Sequence, residues 1–375
     1  MTDLNIHPSL TFSAPTLLTD GDVNFIKYSP LGNNVFSQND NCTIKLASNN
    51  ELLVLDRSYI KFNIQLDTAG TFSPQGVSAI FSSVSDTVSG MQLPIQRNAN
   101  ITAKVALSTD SNERKALTGV CELYTEGAVT GKAHTINQIY TVTLPVQTSL
   151  SSSEKYIPLC FMNAGHQISY QFAPASQVCS LGSYQITNFE LIACMVQPPN
   201  SYLEEVARGL AAGNSLKLPL NLTKSITVQP SAGISSQVIN LQVGYLGSIN
   251  SISLVERNSA APMINQDGIS SFFTTVDGAR FPRNKSVAGT AETLYQTLAG
   301  YSTKLSSISL PDIYSRFKQF SWKSNGMFSS GIPSANGTIE LSLEFNSVPS
   351  TLECIINYDA MLLLSANSAL LVTDI

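Results

Sequence analysis

Polar and apolar side chains alternate residue by residue in several stretches of this chain. In the first half the stretches are 58–67, 140–146 and 167–172, and in the second half they are 237–243 and 338–345. Strict alternation is typical of a β-strand that has one face in a core and the other in water. The pattern therefore predicts an all-β chain with two packed β-sandwiches in tandem.

A short helix is predicted between the two halves. Pro198 and Pro199 end the last strand of the first half, since proline has no backbone N–H to donate to a sheet. Ser201 and Glu204 then match the S-x-x-E capping box that starts many helices. The chain is accordingly divided into an N-terminal arm at 1–20, a first sandwich at 21–200, a linker with a short helix at 201–224 and a second sandwich at 225–375.

Two stretches depart from the strand pattern. Residues 96–138 are polar, contain a cluster of charges at 110–115 and are predicted to form a long excursion from the first sandwich. In the second half, 291–298 has leucines four residues apart before Gly300 and is predicted to form a second short helix. The fold class stays all-β, with short connecting helices.

Composition narrows the class of function. The 375 residues suit two domains better than a single core. Charged side chains make up 13% of them, against about 25% in an average protein, so Ser, Thr, Asn and Gln carry much of the polar surface. That composition suits broad uncharged surfaces that meet other subunits. The net charge of −5 and the lack of a long basic run argue against sequence-specific nucleic-acid binding.

The cysteines and the N-terminus indicate a protein that is made in a reducing compartment and is not secreted by the standard route. The six cysteines form no C-x-x-C pair and are predicted to be buried free thiols of a reducing compartment. Three of them, Cys160, Cys194 and Cys354, fall in apolar runs predicted as strands. The first residues lack the basic start and apolar segment of a signal peptide, and no apolar run reaches the roughly 18 residues that cross a membrane.

The sequence contains no evident constellation of catalytic side chains. His7, His134 and His166 lie far apart, and His166 is predicted to be a surface residue after a glycine turn. Glu340 and Glu344 share a face of one strand, but it is the predicted solvent face, so a glycosidase pair is disfavoured. We therefore predict no catalytic residues, no metal ligands, no cofactor-binding residues and no cofactor.

Several of these runs resemble segments of the double jelly-roll major capsid proteins that build tailless icosahedral phages, virophages and polinton-like viruses. The first-half runs are YTVTLPV at 140–146, KYIPLCFMNAG at 155–165, QISYQF at 167–172 and YQITNFELI at 184–192. The second-half runs are VDGARFP at 276–282, AETLYQTL at 291–298 and IINYDAMLLL at 355–364. The resemblance spans most of the chain beyond residue 35 and is one of strand spacing and short motifs.

The resemblance implies a structural subunit of a virion. Each half would be a jelly roll of about eight strands, and the two would stand upright side by side. Three copies would form a trimer with a pseudo-sixfold outline, and trimers would tile an icosahedral shell together with minor capsid or penton proteins. The arm at 1–20 would reach neighbouring capsomers or the shell interior, and 96–138 would form a tower. Whether a membrane lies beneath the shell stays open.

Two other classes of function fit the same fold. Jelly rolls also serve as carbohydrate-binding or adhesin modules, and the fold alone does not separate these from capsid subunits. A secreted adhesin is expected to have a signal sequence and often disulfides, and neither is evident in this sequence. A hydrolase on a β-sandwich would need clustered carboxylates or a nucleophile partnered by histidine, and it ranks last.

Overall fold

The computed structural model describes two strand-rich halves joined by a helix. The described residues are 22–73, 76–100, 121, 123, 131–153, 156–257, 268–287, 318–321, 331, 333–334, 337–366 and 368–373. The helices among them are α1 (Ala175–Val178) and α2 (Asn200–Ala211), with 3₁₀ turns at Gly76–Ile80, Ser149–Ser152 and Leu159–Phe161.

The first half contains twelve described strands. They are β1 (Asp22–Tyr28), β2 (Val35–Ser37), β3 (Asn41–Leu46), β4 (Leu52–Leu66), β5 (Gly70–Thr71), β6 (Phe81–Val88), β7 (Met91–Gln92), β8 (Gln96–Arg97), β9 (Ala133–His134), β10 (Ile139–Pro145), β11 (His166–Phe172) and β12 (Tyr184–Gln197). One sheet has the order β1-β12-β4-β10, with β2 also on β12. The other has the order β3-β11-β6-β7, with β8 also on β6. A small separate sheet pairs β5 with β9.

The second half repeats this arrangement. Its strands are β13 (Leu216–Val228), β14 (Ser236–Gln242), β15 (Ile249–Arg257), β16 (Ile269–Val276), β17 (Ala279–Val287), β18 (Lys318–Ser321), β19 (Thr338–Phe345), β20 (Thr351–Leu364) and β21 (Ala369–Val372). The sheets run β13-β20-β15-β18, with β21 also on β20, and β14-β19-β16-β17.

Both halves are jelly rolls. The eight main strands of the first half, in chain order, are β1, β3, β4, β6, β7, β10, β11 and β12, and those of the second half are β13 to β20. Numbered from one to eight in each half, they form one sheet with the order 1-8-3-6 and another with the order 2-7-4-5. Neighbouring strands are antiparallel throughout the described pairs, and two sheets packed face to face in this order form a jelly roll. The predicted all-β fold of two tandem sandwiches is thus confirmed.

Aromatic rings fill the core between the two sheets of the first half. Phe189 of β12 is central, with its ring centroid 5.5 Å from that of Phe62, 5.8 Å from Phe172 and 6.0 Å from Tyr170. On the opposite sheet, the rings of Phe81 and Tyr170 lie 4.7 Å apart and are tilted by 34°. All five side chains are fully buried, so these contacts hold the two sheets of the first half together.

The linker is shorter than the sequence suggested. The predicted linker at 201–224 contains α2, but β13 begins at Leu216 and pairs along its whole length with β20. Leu216, Leu218 and Leu220 are buried at every second position, which is the signature of a strand. The capping box is also wrong, because the N-cap of α2 is Pro199, with no side-chain hydrogen bond, and Ser201 lies inside the first turn.

The run KYIPLCFMNAG at 155–165 is not a regular strand. Ile157 makes one isolated antiparallel bridge to Leu53, and Leu159–Phe161 then forms a 3₁₀ turn. Pro158 lies between them and lacks the N–H that a continuing sheet would need. Cys160 therefore sits in a turn and is half-buried, whereas Cys194 and Cys354 lie in strands and are buried as predicted.

Other predicted segments lie partly or wholly outside the described residues. The arm at 1–20, the charge cluster at 110–115 and the helix at 291–298 lie wholly outside them. Of the excursion at 96–138, residues 96–100, 121, 123 and 131–138 are described. The tower remains a prediction.

We predict that Phe189→Ala destabilises the protein by about 4 kcal/mol, because it removes a ring that touches both sheets and leaves a cavity. Denaturant unfolding followed by far-UV circular dichroism measures the change. Tyr245→Ala is the matched control, since that ring is exposed. Equal free energies of unfolding for the two variants would contradict the central position of Phe189.

Candidate functional site

The two jelly rolls meet along one edge strand. β13, at the edge of the first sheet of the second half, lies against β8 and against the 3₁₀ turn Ser149–Ser152 of the first half. We call this contact the seam. A hydrogen bond at the far end, from Asn163 Nδ2 to the Ala366 carbonyl at 2.9 Å, also joins the halves. The jelly rolls therefore stand side by side, held at both ends.

A polar cluster closes the seam. Asn98 Nδ2, one residue beyond β8, donates to Glu353 Oε2 at 3.0 Å and to Ser225 Oγ at 3.1 Å. Thr227 Oγ1 donates to the same carboxylate oxygen at 2.7 Å. Glu353 is 1% exposed, so these donors replace the water that a carboxylate needs. The cluster links strands that are 126 to 255 residues apart in the chain.

The seam buries the second face of a sheet. The side chains of β20 alternate, so Glu353, Ile355 and Asn357 point away from the core of the second half, on the outer face of the sheet. Asn357 bridges its neighbours on that face, accepting from Thr223 Oγ1 at 3.0 Å and donating to Ser251 Oγ at 3.0 Å. Glu353 and Ile355 are both buried, so this sheet is covered on both faces at this end.

The corresponding end of the first-half sheet, where β12 begins, is exposed on its outer face. Val35 on β2 is 52% exposed and Ile139 on β10 is 60% exposed. Between them lie Gln185, Thr141 and Asn63, with Thr141 Oγ1 donating to Asn63 Oδ1 at 2.8 Å. We call the outer face of the sheet β1-β12-β4-β10, including β2, the open face. Its described side chains are mainly amides and hydroxyls, together with the ion pair of Lys27 and Glu190 and the exposed Lys61.

His166 is not a surface residue, contrary to the sequence prediction. Its side chain is fully buried, and Nε2 lies 2.8 Å from Asp86 Oδ1. Asp86 also accepts from the Thr148 hydroxyl and, at 2.6 Å, from the backbone N–H of Ser149. The alternation already held the signal: His166 shares a face with Ile168 and the later apolar residues of β11, and Asp86 takes an apolar position of β6.

The environment of Asp86 decides its ionisation. Desolvation alone would raise its pKa, but the hydrogen bond and charge of His166, with the Thr148 and Ser149 donors, more than offset it and lower the pKa. The carboxylate anchors the 3₁₀ turn at Ser149–Ser152, which in turn lies against β13. Neither Asp86 nor His166 is exposed, so the pair positions a turn and has no access to a substrate.

The remaining sequence-derived candidates are scattered. His134 is buried against Phe72, with ring centroids 5.0 Å apart, and burial lowers its pKa. Glu340 is exposed, while Glu344 is half-buried and accepts from Ser271 Oγ at 2.7 Å, so the two do not face a common cleft. His7 lies outside the described residues.

Within the described part of the chain, no group of three or more His, Cys, Asp and Glu side chains is arranged to hold a metal ion. The same residues include no helix long and apolar enough to cross a membrane. The six cysteines are free, and burial raises the pKa of the Cys42 and Cys354 thiols to about 12. That the chain lacks catalytic and cofactor-binding residues stays a prediction.

The fold is similar to those of several solved viral structures. PBCV-1 VP54, fitted into a reconstruction of the virophage Sputnik, has a TM-score of 0.68 at 10% identity, covering 95% of this chain and 97% of that chain. A Sputnik virophage structure gives 0.60 at 12% identity, covering 98% and 91%. The Faustovirus major capsid protein gives 0.58 at 8% identity, covering 96% and 93%.

These similarities show a shared double jelly-roll fold along nearly the whole chain. No protein-family model matches the sequence, and no curated protein matches it. The expectation of two tandem jelly rolls, drawn from short motifs, is confirmed at the level of fold.

We predict that Asp86→Asn lowers the free energy of unfolding at pH 7 by about 3 kcal/mol, because it breaks a fully buried charged cluster. Since folding lowers the pKa of Asp86 from 3.8, its stabilisation is present above that value and lost as the pH falls below it. Denaturant titrations at several pH values should therefore show the two proteins converging in acid. The exposed carboxylate variant Glu340→Gln is the control, and a constant difference across pH would contradict the assignment.

A second prediction concerns the seam. Asn98→Ala removes a donor from the buried Glu353 carboxylate and is expected to cost about 1–3 kcal/mol of unfolding free energy. Differential scanning calorimetry measures the loss, with the exposed strand residue Asn240→Ala as control. A melting temperature unchanged in both variants would show that the cluster contributes nothing to stability.

Proposed function

We propose that this chain is the major capsid protein of an icosahedral virus. It would act as a structural subunit that trimerises into pseudo-hexameric capsomers and tiles the viral shell, and it would function without catalytic residues or a cofactor. The observation that carries the proposal is the double jelly roll itself. Its likeness to structures named as viral capsids and major capsid proteins covers nearly the full length of both chains.

The surface chemistry of the chain supports this function. Only 13% of its residues are charged, and the open face is polar with few charges. Interfaces between subunits are depleted in Lys, Glu and Asp at their centres, because a buried charge must be desolvated. A face built from Gln, Asn and Thr stays hydrated in a free subunit and becomes buried on assembly at a smaller cost.

The partners follow from this role. The chain would bind other copies of itself, first within a trimer and then between neighbouring capsomers. Minor capsid or penton proteins would complete the shell at its vertices. The net charge of −5 disfavours direct sequence-specific contact with the genome. The location of the mature protein would be the virion, after synthesis inside the host cell.

We predict that the purified chain forms a trimer in solution. Size-exclusion chromatography with light scattering should give a mass three times the 40.3 kDa of one chain. Three chains with two jelly rolls each contribute six domains, and six similar domains can close into a ring of pseudo-equivalent positions. A monomer that persists at high concentration would contradict the proposal, and negative-stain images of assembled shells would extend it.

A further inference from the structure

A cleft opens at one end of the second jelly roll. It lies between the loop 229–235, which joins β13 to β14, and the loop 346–350, which joins β19 to β20. Its volume is about 800 Å³, within the range of about 300–1,000 Å³ that is typical of small-molecule sites. We call it the loop cleft. Its first lining residue comes two positions after Thr227 of the seam cluster, so the loop cleft adjoins the contact between the two jelly rolls.

The first jelly roll is built differently at the same end. Its connection from β2 to β3 is only 38–40, whereas its connection from β11 to β12 runs over 173–183. The longer loop folds back as α1, where Ala175 and Val178 are buried, and the backbone N–H of Ala175 donates to Gln38 Oε1 at 3.0 Å. The two loops therefore contact each other in the first half, whereas the loop cleft lies between them in the second.

A hydrogen bond and two prolines hold the walls of the loop cleft. The Ser235 carbonyl accepts from the backbone N–H of Phe345 at 2.9 Å, which ties one loop to the other at the base. Pro230 and Pro349 are buried, one in each wall, and the ring of proline fixes φ. Walls held in this way lose little conformational freedom when a ligand enters, so less of the binding energy is spent on ordering them.

The lining combines apolar surface with uncharged polar groups. Ile234 and Val348 are half-buried and supply apolar surface, whereas the side-chain amides of Gln229 and Asn346 are exposed. The backbone N–H of Asn346 donates to the Gly268 carbonyl at 2.8 Å, which fixes the backbone from which that amide projects. None of the described residues that line the loop cleft is charged.

We propose that the loop cleft binds a short, uncharged carbohydrate. A side-chain amide both donates and accepts hydrogen bonds, so Gln229 and Asn346 can pair with sugar hydroxyls in either sense. The C–H faces of a sugar ring would pack on Ile234 and Val348. A purely apolar ligand would not use the amides, and an anionic sugar needs a cationic partner, which the described lining does not offer.

The position of the loop cleft suits this role. Loops at the end of a rigid β-sandwich are where binding sites are commonly built, and jelly rolls serve as lectin domains as well as capsid domains. The inference goes beyond the proposed function, because binding at the loop cleft does not depend on how many copies of the chain assemble.

Methyl NMR of the full chain tests the site, because Ile234 and Val348 report from inside the loop cleft. The probes are lactose, cellotriose and chitotriose, with sialyllactose as the anionic comparison and the dye anilinonaphthalene sulfonate as the apolar one. Ile339 is fully buried in the core and serves as the internal reference. Light scattering on the same samples gives the number of chains, so a failure of the trimer is distinguished from a failure of the site.

Two variants locate the binding. Asn346→Ala removes an amide, and Ser235→Trp places a large ring in the loop cleft while keeping the carbonyl that bonds to Phe345. Asn240→Ala is the matched control, because Asn240 is an exposed amide on β14 outside the lining. Circular dichroism with thermal unfolding verifies the fold of each variant, and if one does not fold, the other decides the outcome.

We expect at least one neutral saccharide to shift the methyl signals of Ile234 and Val348 in wild type and in Asn240→Ala, with Ile339 unchanged. Asn346→Ala should weaken this binding about tenfold, and Ser235→Trp should abolish it. Shifts that persist in both variants would place the saccharide elsewhere, and shifts caused only by sialyllactose or the dye would indicate another class of ligand. Either result, or the lack of a shift with every neutral saccharide, overturns the proposal while the capsid function stands.

Discussion

Every strand presents side chains to both faces of its sheet, but a jelly roll buries only one of those faces in its own core. Whether the second face is covered or exposed is what distinguishes the two halves of this molecule. In the second half the outer face of the sheet β13-β20-β15-β18 is covered at the seam, where even the carboxylate of Glu353 is buried. In the first half the equivalent end of the outer face is exposed at Val35, Gln185 and Ile139. Two domains with one strand order thus differ in what lies against them.

Burial of the second face explains the polar clusters. A carboxylate removed from water needs donors, and two buried ones show this: Glu353 has Asn98 and Thr227, and Asp86 has Thr148, Ser149 and His166. Both clusters adjoin β13, because the turn that Asp86 anchors lies against that strand. The polar network in the core of the first jelly roll is therefore connected, through the turn at Ser149–Ser152 and β13, to the contact between the two jelly rolls.

Most of the fold could be predicted from the sequence, but few of the side-chain contacts could. Alternation located the main strands, since period two follows directly from the pleat. Alternation also places His166 inward, on the face of Ile168, so the surface position predicted from the preceding glycine turn is wrong. The pairing of Asp86 with His166 spans 80 residues, so no local pattern contains it. Capping at Ser201 failed because two prolines precede it and Pro199 already fixes the helix start.

The comparison of the two outer faces suggests a physical reason for the low charge of the chain. On the covered sheet, Glu353 follows the buried Leu352 of β20 and points outward, and on the open face, Gln185 follows the buried Tyr184 of β12 and points outward. A carboxylate is tolerated where its donors are built into the same chain and form as the chain folds. An exposed amide such as that of Gln185 has no such donors built around it, and it costs less to desolvate than a carboxylate would. The exposed Gln185 carries no charge, whereas the buried carboxylate of Glu353 accepts from Asn98 and Thr227 of the same chain.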